Sequence, residues 1–135
     1  MERHRFRPQQ PTVLVVDDQR DLREALADLL EMEGFAVADA ANGRDALVYL
    51  RSGLPVHAIV VDLAMPIMDG WTFLAERQRD PVWRTTPTFV ISGLNGDALR
   101  REMLGGTRVF PKPLDLELLV DAIRGALGSD PPKTP

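Results

Sequence analysis

Short apolar runs alternate with amphipathic stretches along most of the chain. The run over 12–16 is apolar, rich in β-branched residues and ends at Asp17 and Asp18, a pattern typical of a strand buried on both faces. Similar short runs follow, each ended by polar residues or turn signals. The predicted strands are 12–16, 35–40, 58–61, 88–91 and 109–110.

Between these runs, apolar residues recur at intervals of three and four positions, which is the spacing of an amphipathic helix. The first such stretch begins at Asp21 and stops at Gly34, and the second follows Asn42 and Gly43 and runs up to Gly53. Three further helices are predicted around 71–75, over 97–104 with weaker patterning, and over 116–127.

Five strands that alternate with five helices predict a doubly wound α/β domain with a parallel sheet, because parallel strands need crossover connections and helices supply them. We expect one such domain, over 12–127, since 135 residues is near the commonest size of a single domain. Residues 1–11 are predicted to form a disordered basic arm, and 128–135 a flexible proline-rich tail.

The composition narrows the possible functions. A net charge of −4 disfavours a nucleic-acid binder, which needs a basic face to neutralise phosphates. The absence of cysteine excludes disulfides and thiolate chemistry. No apolar stretch approaches the ~20 residues of a membrane-spanning helix, and the amino-terminal residues lack the apolar segment of a secretory signal. We therefore expect a cytoplasmic protein that interacts with neither nucleic acid nor membranes.

Polar side chains follow the predicted strands at the point where each strand ends. Asp17 and Asp18 follow the first strand, Asp62 the third, Ser92 the fourth and Lys112 the fifth. Because doubly wound sheets bind ligands at the carboxyl ends of their strands, we expect these groups to converge on one rim. Three carboxylates in one place repel one another unless a cation is bound, and oxygen ligands favour Mg²⁺, with Mn²⁺ as an alternative.

The same residues predict phosphoryl chemistry. A carboxylate such as Asp62 can act as a nucleophile and form an acyl phosphate. The metal and Lys112 would neutralise the charge of the transferring group, and the Ser92 hydroxyl and the Lys112 ammonium would hold the phosphate afterwards.

Each of these residues also has an ordinary explanation. Asp17 and Asp18 could lie in a solvated turn, Asp62 could be a turn or capping residue, and Ser92 and Lys112 could be loop residues. Their joint occurrence at the strand ends favours the phosphoryl site.

Other polar and aromatic residues are assigned no chemistry. Asp69, which precedes a glycine and a helical pattern, predicts a helix cap. Trp71 and Trp83 are interpreted as packing or surface aromatics. His4 and His57 are too isolated in the sequence to form a metal or acid–base pair.

Four blocks of this sequence resemble the receiver domain of response regulators, the family that includes the chemotaxis response regulator. The blocks are Val-Leu-Val-Val-Asp-Asp over 13–18, Asp-Leu-Ala-Met-Pro-Ile-Met-Asp-Gly over 62–70, Ser-Gly over 92–93 and Lys-Pro over 112–113. The segment Ala-Asn-Gly-Arg-Asp-Ala-Leu over 41–47 is also similar to the family. The resemblance extends over about 12–127, and it implies a flavodoxin-like fold with strand order 2-1-3-4-5 and five helices.

The resemblance also implies roles for single residues. It makes Asp62 the phosphoacceptor, Asp18 a direct ligand of Mg²⁺, Asp17 a ligand largely through water, and the Ala64 backbone carbonyl a further ligand. Ser92 would bond a phosphate oxygen. By the same resemblance, Lys112 would form a salt bridge to the phosphate, and the peptide bond between Lys112 and Pro113 would be cis.

The function implied by the resemblance is that of a stand-alone receiver in a two-component phosphorelay. A histidine kinase or histidine phosphotransfer protein would supply the phosphoryl group, and a downstream protein would recognise the changed conformation. The chain would be a monomer or weak homodimer and would catalyse only its own phosphorylation and dephosphorylation. Two alternatives are a pseudo-receiver that binds partners without phosphate and an aspartyl-phosphate phosphatase. The phosphatase is disfavoured because Ala64 stands where such enzymes usually carry a second aspartate.

The sequence departs from the family pattern after the fourth strand. Val109 replaces the usual aromatic residue, and strand alternation places Phe110 on the opposite face. Pro111 removes a backbone donor next to Lys112, and the segment between Ser92 and the lysine is slightly short. We therefore expect the phosphoryl chemistry to be kept and its readout to be altered.

The rate of phosphate loss is also predicted from the resemblance. Ala64 and Leu94 flank the route of the attacking water in relatives, and neither side chain can orient a water molecule. We therefore expect slow loss of the phosphoryl group.

Overall fold

The computed structural model describes residues 10–65, 67–93 and 107–128. Their elements, in chain order, are β1 (Thr12–Val16), α1 (Arg20–Met32), β2 (Ala36–Ala40), α2 (Gly43–Arg51), β3 (Ala58–Asp62), α3 (Gly70–Gln78), a 3-10 helix (Trp83–Thr85), β4 (Thr88–Ser92), β5 (Thr107–Pro111) and α4 (Leu116–Leu127). The helix predicted over 97–104, residues 1–9 of the predicted arm and residues 129–135 of the predicted tail lie outside the described residues.

The five strands form one parallel sheet in the order β2-β1-β3-β4-β5, which confirms the predicted topology. The chain builds β2 on one side of β1 and then β3, β4 and β5 on the other side. The strand order therefore reverses between β1 and β3, whose pairing runs from Val13 opposite Ala58 to Val16 opposite Val61. In open α/β sheets this reversal opens a crevice at the carboxyl ends of the strands.

The central strands are buried on both faces, as their unbroken apolar pattern predicted. Val13 and Val15 pack in a cluster with α1 and α4, whereas Leu14 and Val16 pack in a second cluster with α2 and α3. Alternate side chains of a strand point to opposite faces, so a single run of apolar residues supplies both halves of the core.

Side-chain caps start three of the helices. The carboxylate of Asp69 accepts a hydrogen bond from Thr72 N at 2.9 Å, which confirms the predicted cap of α3. Asn42 caps α2 and Asp115 caps α4 in the same way. Each cap satisfies a backbone donor that the first turn leaves without a helical partner, and each contributes about 1 kcal/mol.

The last strand is longer than the sequence predicted. It spans 107–111 and not only 109–110, and it lies at the edge of the sheet, where Pro111 pairs with Ser92. Proline is tolerated on an edge strand because its missing donor faces no further strand. The next backbone donor, Lys112 N, hydrogen-bonds Ser92 O at 3.0 Å and so keeps Lys112 next to β4.

A buried arginine, which the sequence pattern did not predict, ties the end of α3 to the segment before β4. The Arg77 guanidinium is fully buried, and its Nη2 donates to Arg84 O at 3.0 Å and to Thr86 O at 2.8 Å. Burial lowers the pKa of this guanidinium from its ordinary value. None of the described helices combines the length and the apolarity that a bilayer crossing requires.

Candidate functional site

The structure brings the predicted polar residues to the carboxyl edge of the sheet. Asp17 follows β1, Asp62 and Ser92 end β3 and β4, and Lys112 follows β5. Asp17, Asp62 and Ser92 are buried, with exposures of 1%, 2% and 2%, whereas Asp18 and Lys112 are exposed. The site therefore has a buried floor and a solvent-facing rim.

Three carboxylates form an acidic cluster at this edge. Oxygen atoms of Asp17, Asp18 and Asp62 all lie within 4.8 Å of one another. Such a separation is costly for ionised groups unless positive charge is close. The cluster therefore has the donor chemistry of a site for a hard divalent cation such as Mg²⁺.

Asp17 gives the clearest sign that a cation fits. Its Oδ1 accepts a hydrogen bond from Gln19 N at 2.8 Å, but its buried Oδ2 has no hydrogen-bond partner among the described residues. Burial raises the pKa of the Asp17 carboxyl, and repulsion from Asp62 and Asp18 raises it further, while the Gln19 hydrogen bond and Lys112 lower it. A bound cation would supply the partner that this oxygen lacks.

Asp62 is held by contacts on both of its carboxylate oxygens. Its Oδ2 accepts a hydrogen bond from Lys112 Nζ at 3.1 Å, and its Oδ1 accepts one from Ala64 N at 3.2 Å. The lysine is separated from the aspartate by β4 in the sheet order, so the contact reaches across a strand. Asp62 is consequently oriented while one side of its carboxylate already faces a positive charge.

The peptide bond between Lys112 and Pro113 is cis, as the resemblance implied. Ala64 is exposed, and its backbone N–H is directed to Asp62. The role of its carbonyl as a metal ligand stays a prediction, as does the division of Asp17 and Asp18 into water-mediated and direct ligands.

A cavity of about 300 Å³ opens beside the Asp62 carboxylate. Its described lining residues are Asp62, Leu63, Ala64, Trp71, Ser92, Gly93 and Lys112. Trp71 was expected to be a packing or surface residue; it packs against the α2 and α3 cluster and also lines this cavity. Its place directly after Gly70, at the start of the helix that follows Asp62, is the sequence signal that could have indicated this.

Two glycines hold the segment between β3 and α3 close to neighbouring backbone. A Cβ at Gly70 would lie 2.6 Å from Asp62 O and 2.6 Å from the Leu63 Cα. A Cβ at Gly43 would lie 2.8 Å from the Met68 Cγ, and Gly43 N donates to Met68 O at 3.1 Å. Only residues without a side chain allow these approaches, which explains both the Asp-Gly pair and the Asn-Gly pair in physical terms.

The loop between β1 and α1, which carries Asp17 and Asp18, is held by Arg23. The sequence pattern did not predict this role for Arg23. Arg23 Nη1 donates to Asp17 O at 2.7 Å, and its Nε lies 3.4 Å from the Asp39 carboxylate. The Asp17 backbone is thus held by a side chain from the first turn of α1.

The structure confirms that Phe110 and Val109 occupy opposite faces of β5. Phe110 is buried in the α1 and α4 cluster with its ring centroid 6.1 Å from that of Phe89, whereas Val109 packs against the α2 and α3 cluster. His57 accepts a hydrogen bond from Thr12 N at 2.9 Å, a contact at the amino ends of the strands and away from the acidic cluster.

Known proteins share this arrangement. Residues 13–124 match the family described as the response regulator receiver domain. The chain is 30% identical to protein PilG of Pseudomonas aeruginosa, over 89% of this chain and 90% of PilG. It is also 30% identical to the probable chemotaxis protein CheY of Rhizobium etli, over 87% of this chain and 92% of that protein.

A solved structure shows the same similarity. The chemotaxis protein CheY4 of Vibrio cholerae has a TM-score of 0.79 and 26% identity, and the similarity covers 86% of this chain and 98% of CheY4. Sequence and fold thus agree over nearly the whole described domain, and the chain belongs to the response regulator receiver family, a family of signalling domains.

Proposed function

We propose that this receiver domain accepts a phosphoryl group on Asp62 from a phosphohistidine of a partner histidine kinase or histidine phosphotransfer protein. The phosphorylated domain then changes conformation and is recognised by a downstream protein target. The observation that carries the proposal is the placement of the Asp62 carboxylate, which is buried, 3.1 Å from Lys112 Nζ and within 4.8 Å of carboxylate oxygens of Asp17 and Asp18.

The transfer is a substitution at phosphorus. A carboxylate oxygen of Asp62 forms the new O–P bond, the P–N bond to the donor imidazole breaks, and the electron pair stays on the ring nitrogen. Lys112 Nζ, already at the Asp62 carboxylate, neutralises charge on the phosphoryl oxygens and afterwards pairs with the phosphate. Ser92, buried at the end of β4 on the same cavity, hydrogen-bonds a phosphate oxygen.

We propose Mg²⁺ as the cation of the acidic cluster, with Mn²⁺ as a substitute. Asp18 is a direct ligand, Asp17 a ligand largely through water, and Asp62 and the Ala64 carbonyl complete the protein ligands. When bound, the cation neutralises charge on the phosphoryl oxygens and the carboxylates. The buried Asp17 Oδ2, which lacks a hydrogen-bond partner among the described residues, supports this assignment.

The location, oligomeric state and partner class are proposed from the sequence. We propose that the protein is cytoplasmic, that it acts as a monomer or weak homodimer, and that it contacts other proteins but neither nucleic acid nor membranes. Its net charge of −4 supports the exclusion of nucleic acid.

Phosphotransfer profiling against candidate histidine kinases tests the proposal. With Mg²⁺ present, the wild-type chain should gain the mass of one phosphoryl group, whereas Asp62→Asn should gain none. Asp69→Asn is the matched control, because Asp69 is an exposed helix cap and asparagine also caps helices. Transfer that survives in Asp62→Asn would overturn the assignment of the acceptor.

One alternative is a receiver that binds its partner without phosphate, which Val109 at the usual aromatic position favours. Beryllofluoride with Mg²⁺ separates the two proposals, because it mimics the phosphoryl group on an aspartate. Shifts of the NMR signals around Ser92 and Lys112 would support the phosphoacceptor. An unchanged spectrum together with no transfer from the kinases would favour the pseudo-receiver.

A further inference from the structure

Trp71 lines the cavity beside the proposed phosphoacceptor. It is the second residue of α3, and its side chain is half-buried between the α2 and α3 cluster and the cavity. An indole is the largest side chain available to a protein, and it combines an apolar body with an electron-rich face. Trp71 therefore brings an apolar, electron-rich surface to the cavity that Asp62 and Lys112 also line.

The position of Trp71 relative to Asp62 is fixed by the backbone. Gly70 N donates to Leu63 O at 3.0 Å, and Gly70 approaches Asp62 O and the Leu63 Cα so closely that no Cβ fits. The Asp69 cap holds the same turn of α3. Asp62 and Trp71 therefore lie next to the two ends of a contact that joins β3 to the first turn of α3.

The described lining of the cavity has polar and apolar members. Asp62, Ser92 and Lys112 have polar side chains, whereas the side chains of Leu63, Ala64 and Trp71 are mainly apolar. The volume of about 300 Å³ is roughly ten times that of one water in the liquid, so the cavity has room for a phosphoryl group and for part of its donor. The apolar members suit an uncharged or aromatic portion of the donor.

We propose that Trp71 is a specificity-determining residue that contacts the imidazole ring of the phosphohistidine during transfer to Asp62. This inference rests on the proposed function. A phosphorylated imidazole that is protonated on its second nitrogen is a flat cationic ring, and tryptophan is the best aromatic partner for a cation. The ring leaves as neutral imidazole, with the electron pair of the P–N bond on one nitrogen and the proton on the other. The contact thus favours a ring-bearing donor over a small donor without a ring.

Two small phosphoryl donors test this contact on the full chain with Mg²⁺. Monophosphoimidazole and phosphoramidate both transfer from a P–N bond, but only the first carries a ring. In Trp71→Leu, the rate constant for monophosphoimidazole should fall roughly 3- to 30-fold, while that for phosphoramidate stays within about twofold. Trp71→Phe, which keeps an aromatic ring, should retain most of the wild-type preference.

Trp83→Leu is the matched control, because Trp83 lies before β4 at the other end of the sheet. It should leave both rate constants unchanged. Trp71→Met provides a second non-aromatic replacement, since its flexible side chain fills irregular space, and melting curves show whether each variant is folded.

The outcomes separate this inference from the proposed function. If Trp71→Leu and Trp71→Met keep the wild-type preference for monophosphoimidazole, or lose rate equally with both donors, the specificity role is wrong and the phosphoacceptor stands. A folded wild-type chain that gains no phosphoryl group from either donor or from any kinase would overturn both.

Discussion

At the scale of single residues, the chemistry of the site depends on groups that contact one carboxylate. Asp62 is oriented by Lys112 and by Ala64 N, so the acceptor is prepared before any ligand binds. The Ala64 side chain, in contrast, ends at a methyl group and is exposed. It adds neither a donor nor an acceptor to the cavity.

This property of Ala64 predicts a long-lived acyl phosphate. Hydrolysis needs a water molecule that is oriented and partly deprotonated, and a methyl group does neither. After labelling, decay of phosphorylated wild type in magnesium buffer should be slow, and Ala64→Asn should shorten the lifetime roughly tenfold or more. A wild-type lifetime of seconds, measured by the loss of phosphoprotein mass, would contradict the prediction.

Ile67 is a second residue with a local consequence. It is a β-branched residue at φ 67, in the left-handed region, and 71% of it is exposed. Isoleucine is strained there, whereas asparagine adopts this conformation at lower cost. Ile67→Asn should therefore raise the free energy of unfolding by about 1 kcal/mol, measured by urea denaturation.

Val82 provides the control for Ile67, because it is 69% exposed but has an ordinary φ of −86. Val82→Asn should give no gain in stability. An equal gain in both variants would show that the effect comes from removing exposed apolar surface and not from backbone strain.

At the scale of elements, the start of α3 determines where the acceptor lies. Gly70 packs against the backbone at the end of β3, and Asp69 caps the same turn. Gly70 N also donates to Leu63 O at 3.0 Å, so the end of β3 and the first turn of α3 are held against each other.

Gly70→Ala should disturb the contact between the end of β3 and the first turn of α3. A Cβ at 2.6 Å from Asp62 O must displace the backbone, so the free energy of unfolding should fall by about 1–3 kcal/mol, and phosphorylation of Asp62 should slow. Gly125→Ala is the control: a Cβ there meets nothing within 4 Å, and alanine in a helix should raise stability by about 0.5–1 kcal/mol. Urea denaturation of both variants measures these changes. A Gly70→Ala variant as stable as the wild type would refute the close approach of Gly70 to the β3 backbone.

At the scale of the whole molecule, the parallel sheet concentrates negative charge at one edge. Residues 45 positions apart in the chain, Asp17 and Asp62, meet there because β1 and β3 are neighbours. The buried charge of Asp17 opposes folding, and a bound cation offsets that cost.

Mg²⁺ should therefore stabilise the whole domain. At 100 times its dissociation constant it should add about 2.7 kcal/mol to the free energy of unfolding, and EDTA should reverse the gain. In EDTA, Asp17→Asn should be more stable than the wild type, because it removes the poorly compensated buried charge, but it should gain less from Mg²⁺. Thermal melts with and without the metal measure both effects. An Asp17→Asn variant with the wild-type response to Mg²⁺ would exclude Asp17 from the cation site.

The hydrophobic pattern was sufficient to predict much of this fold. Apolar runs that end in Asp17, Asp62 and Ser92 predicted both the strands and the edge at which these residues meet, because the carboxyl ends of parallel strands share one edge. The pattern did not predict Arg77 or Arg23. Both arginines donate to backbone carbonyls outside their own helices, and Arg23 also lies beside the Asp39 carboxylate. The positions of these partners depend on how loops and strands pack, which leaves no mark in the sequence.

The sequence by itself determined the presence of five strands and of α1 to α4, the strand-end carboxylates and the family to which the chain is similar, since each depends on short-range periodicity or on residues within one motif. It did not determine the full length of β5 or the 3-10 helix at Trp83–Thr85. Only the tertiary structure decided that Asp17 has a buried oxygen without a partner among the described residues, that Lys112 reaches Asp62, and that Trp71 faces the same cavity as both. These are distances between residues far apart in the chain. They follow from the side-by-side pairing of strands that are distant in the sequence and from the close approach of Gly70 to the end of β3, which no local pattern encodes.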